Sequence, residues 1–189
     1  MKPWVWHTTN EDALTIAHVS VDNASPWVRR FVSQIPKTGT VLDLACGGGR
    51  HSFLLAEMGY SVLAVDQNIS EIEKTANPFI YSKELNLEEE IWPLGGDKFT
   101  GIVVTNYLYR PHLDRLPEML EKHGVLIYET FAQGNEQFGK PSNPNFLLKT
   151  GELLGLSQRH GLKVLAYEDI YQGEPKPALV QRLCAVKEG

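Results

Sequence analysis

The sequence predicts an α/β fold: one Rossmann-like, mostly parallel sheet with helices on both faces. Three observations carry this. Residues 40–51, TVLDLACGGGRH, read as a buried strand, a glycine turn and the start of a helix. Apolar strand-like runs then alternate with short helical patterns along most of the chain. The chain closes on two strands joined by Gly173-Glu174-Pro175-Lys176-Pro177, a reversal where a further crossover would otherwise stand.

Composition bounds the rest. With 189 residues, 42% of them hydrophobic and 22% charged, the chain has the size and make-up of one domain spanning 1–189. Within it we expect an N-terminal arm over 1–23, a helix ahead of the sheet over 24–36 and a long loop over 131–147. No segment approaches the ~20 apolar residues of a membrane helix. Met1 to His7 has no apolar stretch of the kind a secretory signal needs, so a cytoplasmic protein without a membrane partner is expected. Cys46 and Cys184 are the two cysteines and suit reduced, buried thiols. The six histidines show no metal-ligand spacing, so no metal is expected. A net charge of -5 and a pI near 5.7, with Arg29-Arg30 as the single local basic cluster, disfavour nucleic acid and favour a small-molecule partner. The oligomeric state is left open.

In chain order, Ser25 is a good N-cap and Pro26 suits the first helical position. Val28, Phe31, Val32 and Ile35 make an apolar stripe that Pro36 ends. Trp27 on this helix is either ordinary packing or part of a lid, and Trp4, Trp6 and His7 read as packing groups of the arm. After the strand of 40–45 and its glycine turn, a helix runs to Glu57-Met58 with Gly59 as its stop. Ser61 to Asp66 is a second buried strand ending in a carboxylate. A short helix reaches about Ala76, and Phe79 to Leu85 forms a third strand. Gly101 to Asn106 is β-branched and apolar as a central parallel strand should be. Leu113 to Lys122 is expected as a helix ended by His123-Gly124, followed by a fifth strand over 125–130. The loop from Phe131 to Phe146 is long, aromatic and rich in Gly, Asn and Pro, the mark of a functional lid. A helix bearing Leu153, Leu154 and Leu156 precedes the two closing strands, 162–171 and 178–186.

The glycine spacing separates two nucleotide readings. A dinucleotide site wants a third glycine where this chain has Ser52, so that match fails. The stretch instead resembles motif I of the class I S-adenosylmethionine-dependent methyltransferases, an acid followed by G-x-G-x-G, with Asp43, Ala45, Gly47 and Gly49 in those places. Within that class, residues 41–52, Gly59 to Val62 and Asp66-Gln67-Asn68 look most like the tellurite-resistance methyltransferases and their small-molecule relatives.

The resemblance implies a seven-stranded sheet of order 3-2-1-4-5-7-6, S-adenosylmethionine as cofactor and a small-molecule methyl acceptor. It implies cofactor contacts from Asp43, Ala45, Cys46, Gly47, Gly49, Arg50, Asp66, Gln67, Asn86, Leu87, Thr105 and Asn106. Asp43 would offer its charge to the cofactor's amino group and sulfonium, and Asp66 would hold ribose hydroxyls. Asn86 would take the adenine amino group or simply cap a loop. Leu108 would also face the methyl group, with Tyr109, Arg110 and His112 beside the acceptor. Tyr107, Arg110 and Glu129 are the candidates for a base or acceptor clamp, with a structural salt bridge as the competing role for Arg110. Because methyl transfer from a sulfonium is mostly a matter of alignment and dryness, a base is required only for an acceptor that is protonated at working pH. Two further functional readings stand beside the small-molecule enzyme: an RNA or protein methyltransferase, and a non-catalytic S-adenosylmethionine-binding regulator.

Overall fold

The computed structural model describes residues 23–189. The expected arm, with Trp4, Trp6 and His7, lies outside the described residues but for Asn23. The sheet has seven strands in the order β3-β2-β1-β4-β5-β7-β6. They are β1 (Thr40–Leu44), β2 (Ser61–Asp66), β3 (Ile80–Glu84), β4 (Phe99–Thr105), β5 (Leu120–Phe131), β6 (Leu162–Gln172) and β7 (Ala178–Lys187). The first five strands pair in parallel, while β7 runs antiparallel between β5 and β6. Among the described residues the α-helices are α1 (Pro26–Phe31), α2 (Arg50–Glu57), α3 (Ser70–Glu73), α4 (Arg115–Met119) and α5 (Glu152–Arg159).

The alternation of side chains along β1 sorts the core into two layers. Leu42 and Leu44 face one side, where they share a buried cluster with Leu116, Met119, Leu153 and Leu156 of α4 and α5. Val41 faces the other, packed with Trp27 and Val28 of α1 and Phe53 and Leu54 of α2. Asp43 shares the Val41 side by the same period, which sends its carboxylate toward the head of α2.

α1 begins as its sequence demands. The Ser25 hydroxyl accepts from the Trp27 N–H at 3.1 Å, and Pro26 fills the first turn. Trp27 is packing, not a lid: it is buried, its ring meets Phe31 edge-on at 4.6 Å, and its indole N–H donates to the Leu183 carbonyl of β7.

Two element boundaries depart from expectation. The helix expected over 113–122 is shortened to α4, and Leu120 already belongs to β5, pairing with Phe99. The next register pair is Gly101 with Val125, so Glu121 to Gly124 bulge out of the ladder, with His123 at φ 64° absorbing the bend. Pro117, which has no N–H to offer the Leu113 carbonyl, accounts for the late start of the helix, and the early end is Leu120 turning extended (ψ 136°) into β5. The helix after Asp66, expected to reach Ala76, is a single turn ending at Glu73.

Candidate functional site

The site is built where β1 and β4 end side by side while their crossovers leave in opposite directions, the place at which open α/β sheets bind ligands. β1 runs into Ala45 at φ 55°, Gly47 at φ 52° and Gly49 at φ 80°. These three left-handed residues turn the chain straight into α2. Gly49 has no alternative, because a Cβ there would lie 2.6 Å from Ile72. Gly47 and Gly48 face open space. Ala45 takes the left-handed conformation with a side chain, where the resemblance's pattern has glycine.

Asp66, at the end of β2, locks this turn. One carboxylate oxygen accepts the Gly47 N–H at 2.8 Å and the other the Asn68 N–H at 3.0 Å. Each oxygen keeps a further acceptor site. Asp66 lines a cavity of about 290 Å³ with Ala45, Gln67, Asn86, Leu87 and Tyr107. The Asn86 side-chain oxygen accepts the Glu88 N–H at 3.0 Å, so it caps its own loop while standing in that wall. Tyr107 donates to the Leu87 carbonyl at 3.5 Å. Burial, with Glu88, Tyr109 and Asp66 nearby, pushes its phenol pKa up, so it is a hydrogen-bond donor and not a ready base at neutral pH.

A carboxylate that accepts only, a left-handed glycine turn open to solvent and an adjoining loop wall make a fitting nucleoside site, and S-adenosylmethionine offers the matching groups: a vicinal diol, a purine and an amino-acid tail.

Asp43 stands elsewhere. It is buried, and its carboxylate accepts the Ser52 hydroxyl at 2.6 Å. Burial pushes its pKa up to about 7 against the lowering pull of Ser52. Its work is to tie β1 to α2, and no open face of it reaches the turn's surface. Cys46 is buried too, packed with Ala64 and Ile72, so only its backbone borders the turn.

His51, which the sequence offered only as a non-ligand, is a staple. The Ser25 N–H donates to its Nε2 at 3.1 Å, so the ring proton sits on Nδ1 and meets the Thr105 hydroxyl oxygen at 3.3 Å. Burial, with Arg50 and Arg29 close by, pushes its pKa down to about 3 and leaves the ring neutral. Beside it, Arg50 donates to the Asn23 carbonyl at 3.2 Å and lies 3.5 Å from the Thr105 hydroxyl. Two consecutive residues of α2 thus hold the start of α1 and the end of β4 together.

On the other side of β4 lies a second cavity of about 760 Å³, whose walls include Arg50, Asn106, Glu129, Phe131, Phe138 and Arg182. Asn106, at φ 55°, donates its N–H to the Glu129 carbonyl at 2.9 Å. Glu129 meets Arg182 Nε at 2.5 Å, and Arg182 also donates to Glu168 at 2.9 Å and to Gln172.

Arg110 is spent on structure. It grips Glu152 through two bonds of 2.8 Å, and its remaining contacts go to the Asn145 and Leu147 carbonyls at 2.8 and 2.7 Å. The salt bridge anticipated as its competing role is the one observed, and it pins the 131–147 loop to the head of α5. Leu108 is buried in the core. His112 is buried against Trp92 and Tyr109, with Nε2 2.6 Å from the Glu89 carbonyl. Of the residues expected beside the acceptor, Tyr109, Arg110 and His112, none lines the larger cavity; Glu129, a clamp candidate, and Asn106, expected at the methyl group, do. Arg182, Glu168 and Gln172 were missed. Counting outward from the 173–177 turn sets Arg182 opposite Glu168, and the next strand over adds Glu129.

A cavity of about 640 Å³ at the opposite ends of the strands, near Thr40, Ser61 and Phe79, has no part of this constellation. Among the described residues no group of His, Cys, Asp and Glu could hold a metal, and no helix is long and apolar enough to cross a membrane.

Comparison with known proteins agrees with the geometry. Residues 9–93 match the family model of the tellurite resistance protein TehB. The Bacillus subtilis protein named "Putative methyltransferase YqeM" is 37% identical over 130 residues, 62% of this chain and 51% of the relative, so the match spans about half of that protein's length. Among solved structures, the 1,6-didemethyltoxoflavin-N1-methyltransferase of Burkholderia thailandensis, with bound 1,6-didemethyltoxoflavin and S-adenosylhomocysteine, superposes with a TM-score of 0.66 at 16% identity, covering 100% of this chain and 93% of that one. TehB from Haemophilus influenzae gives 0.62 at 19% identity, covering 97% of this chain and 64% of that one. With the seven-stranded order 3-2-1-4-5-7-6 in place, the chain has the fold of the class I S-adenosylmethionine-dependent methyltransferases, and its glycine-turn half is similar to TehB.

Proposed function

We propose that the chain transfers a methyl group from S-adenosylmethionine to a small-molecule acceptor. The observation that carries the reading is the pair of cavities at the carboxyl ends of β1 and β4. One, walled by Asp66, Gln67, Asn86 and Leu87, is of nucleoside character; the other, larger, opens beside Asn106 and Glu129. They share the Asn106-Tyr107 peptide as a partition. The Burkholderia neighbour, an N1-methyltransferase with 1,6-didemethyltoxoflavin bound, supports a small acceptor here.

Bound S-adenosylmethionine would supply an activated methyl group, leaving the protein to align and to exclude water. Asp66 would accept ribose hydroxyls with the lone pairs that Gly47 and Asn68 leave over. Gln67, Asn86 and Leu87 would border the base, and Ala45, Gly47 and Gly49 the amino-acid tail, with Cys46 contributing backbone. Arg50 would close on the tail's carboxylate. Thr105 and Asn106 would stand nearest the transferred group, with Tyr107 on the cofactor's side of them and Glu129 accepting at the acceptor's edge. Asp43 would act at one remove, by fixing α2. A single domain with the 131–147 loop over the acceptor is part of the same proposal, as is a cytoplasmic location without nucleic acid.

Calorimetric titration with S-adenosylhomocysteine tests it. Wild type should bind, and Asp66→Ala should weaken binding about 10- to 100-fold, the ~1.5–3 kcal/mol of a hydrogen bond to a charged group. Absence of binding by wild type, or an unchanged affinity in Asp66→Ala, would overturn the reading. Turnover with any small acceptor would exclude the regulator, and salt-sensitive retention of RNA would favour a nucleic-acid substrate instead.

A further inference from the structure

The larger cavity holds a built carboxylate that nothing in the cofactor chemistry uses. Glu129 has a side chain only 12% exposed, and Arg182, 15% exposed, binds one of its oxygens. The second oxygen, Oε1, accepts no bond from a described residue, although Glu129 lines the cavity. Arg182 cannot swing away to greet an anion. Its Nε is committed to Glu129, one terminal nitrogen to Glu168 and the other to Gln172. The guanidinium is therefore a clamp that fixes a carboxylate, and the cavity's floor is an acceptor of hydrogen bonds.

The walls around that floor mix polar groups with flat apolar faces. Phe131 and Phe138 come from the loop, Pro26 from the start of α1, and Pro177 from the closing hairpin. Phe138 is itself backed by Tyr171 of β6, ring centroids 5.3 Å apart. A volume of about 760 Å³ lies within the range of sites for drug-sized ligands and far exceeds what an oxyanion of a few atoms would fill.

We infer that this cavity is the acceptor subsite and that it selects a planar, ring-sized molecule presenting an N–H or O–H to Glu129, with Arg182 as the positioning residue. The inference rests on the methyltransferase reading for the identity of the neighbouring site. It sets the acceptor apart from an oxyanion of a few atoms. The cavity also carries Arg50, Lys140 and Lys176, which are the groups an oxyanion would use.

The experiment is ligand-observed NMR on protein saturated with S-adenosylhomocysteine. The probes are bicyclic heteroaromatic fragments, each with an N–H and paired with its N-methylated counterpart, and sodium selenite as competitor. N–H fragments should bind, their N-methylated partners should not, and selenite should displace none. Glu129→Gln should weaken the hits tenfold or more while S-adenosylhomocysteine affinity changes less than twofold. Phe138→Ala, a change at an exposed loop position that leaves the sheet intact, should weaken them about three- to tenfold. Arg182→Lys should weaken N–H fragments while restoring none of the N-methylated ones, since a lysine keeps the charge and loses the fork.

Failure of every fragment to bind, equal binding of the N-methylated set, indifference to both Glu129→Gln and Phe138→Ala, or displacement by selenite would each overturn the inference. Separate titration of wild type with S-adenosylhomocysteine keeps the two claims apart. If that ligand binds and the fragments do not, only the acceptor assignment falls. If it does not bind at all, the methyltransferase reading falls with it.

Discussion

The glycine-turn half and the closing-hairpin half of this molecule hold their polar groups in different ways. Around the turn, most partners are few residues apart or sit one strand-helix unit away: Asn68 and Gly47 on Asp66, Glu88 on Asn86, Ser52 on Asp43; Arg50 and His51, which reach Thr105, are the exceptions. In the closing-hairpin half, Arg182 collects Glu129, Glu168 and Gln172, and Arg110 reaches 35 to 42 positions along the chain to Asn145, Leu147 and Glu152. The first half is fixed by spacing, the second by topology. Only the second can be loosened without touching the turn.

The largest expected effect breaks the comparison at Arg110. Arg110→Met leaves the mostly buried Glu152 carboxylate without its fork and frees two loop carbonyls, a cost of about 3 kcal/mol by analogy with broken buried pairs. Chemical denaturation should show that loss, and limited proteolysis should cut within 134–146. Affinity for S-adenosylhomocysteine should hold within about threefold once the protein is folded; a parallel collapse of that affinity would mean that the halves are not separable.

A second test works inside the turn half, where two buried groups titrate in opposite senses. Asp43 has a folded pKa near 7, above its unfolded value of roughly 3.9. The native state therefore binds the extra proton, and this group's contribution falls as pH rises from about 4 to 7. His51 has a folded pKa near 3, below its unfolded value of about 6.5. Its contribution is present above pH 6.5 and is lost as pH falls toward 3. The slopes oppose each other between about pH 4 and 6.5. Asp43→Asn should remove one of them, raising stability at pH 8 by about 2 kcal/mol and steepening the loss below pH 6.5. Denaturation midpoints across pH 4 to 8 check this; an unchanged profile would show Asp43 ionised at no cost.

The smallest effect concerns Ala45. A non-glycine residue at φ 55° costs about 1–2 kcal/mol, from which the ~0.4–1 kcal/mol entropy penalty of glycine in the unfolded chain must be subtracted. Ala45→Gly should therefore stabilise by about 0.5 kcal/mol, read as a small rise in thermal midpoint. A loss of stability would mean that the methyl group packs usefully.

These contrasts also explain what could be read from the chain. The glycine turn follows from a motif contained in a short stretch, and the sheet order follows from the resemblance that motif carries; both stand as expected, whereas the bond from the Gly47 N–H to Asp66 was not anticipated. Asp43 was placed on the right strand but given the wrong direction, because facing the cofactor or the helix head depends on strand period against the sheet's layers, a tertiary property. Arg110 lies four residues past Asn106 and so looked like a site residue. Its partners lie across a loop whose path no spacing reveals. Leu120 was assigned to a helix because its apolar period continues that of Leu116, and the bulge at Glu121 to Gly124 that draws it into β5 has no local signature beyond His123-Gly124. The Arg182 cluster needed the strand order before the charges could be seen as opposite one another.

The partition between the cavities has a consequence for how such a protein could be altered. Asn106 lines one cavity and Tyr107 the other, and both are held through backbone atoms, Asn106 N–H on the Glu129 carbonyl and the Tyr107 carbonyl on the Tyr128 hydroxyl at 2.7 Å. A change at this peptide moves both walls together. Selection for a new acceptor that acted here would disturb the other ligand in the same stroke, whereas changes at Phe131, Phe138 or the 173–177 turn would not. On the proposed assignment of the larger cavity, acceptor choice is free to drift at the loop and hairpin and is bound at the end of β4.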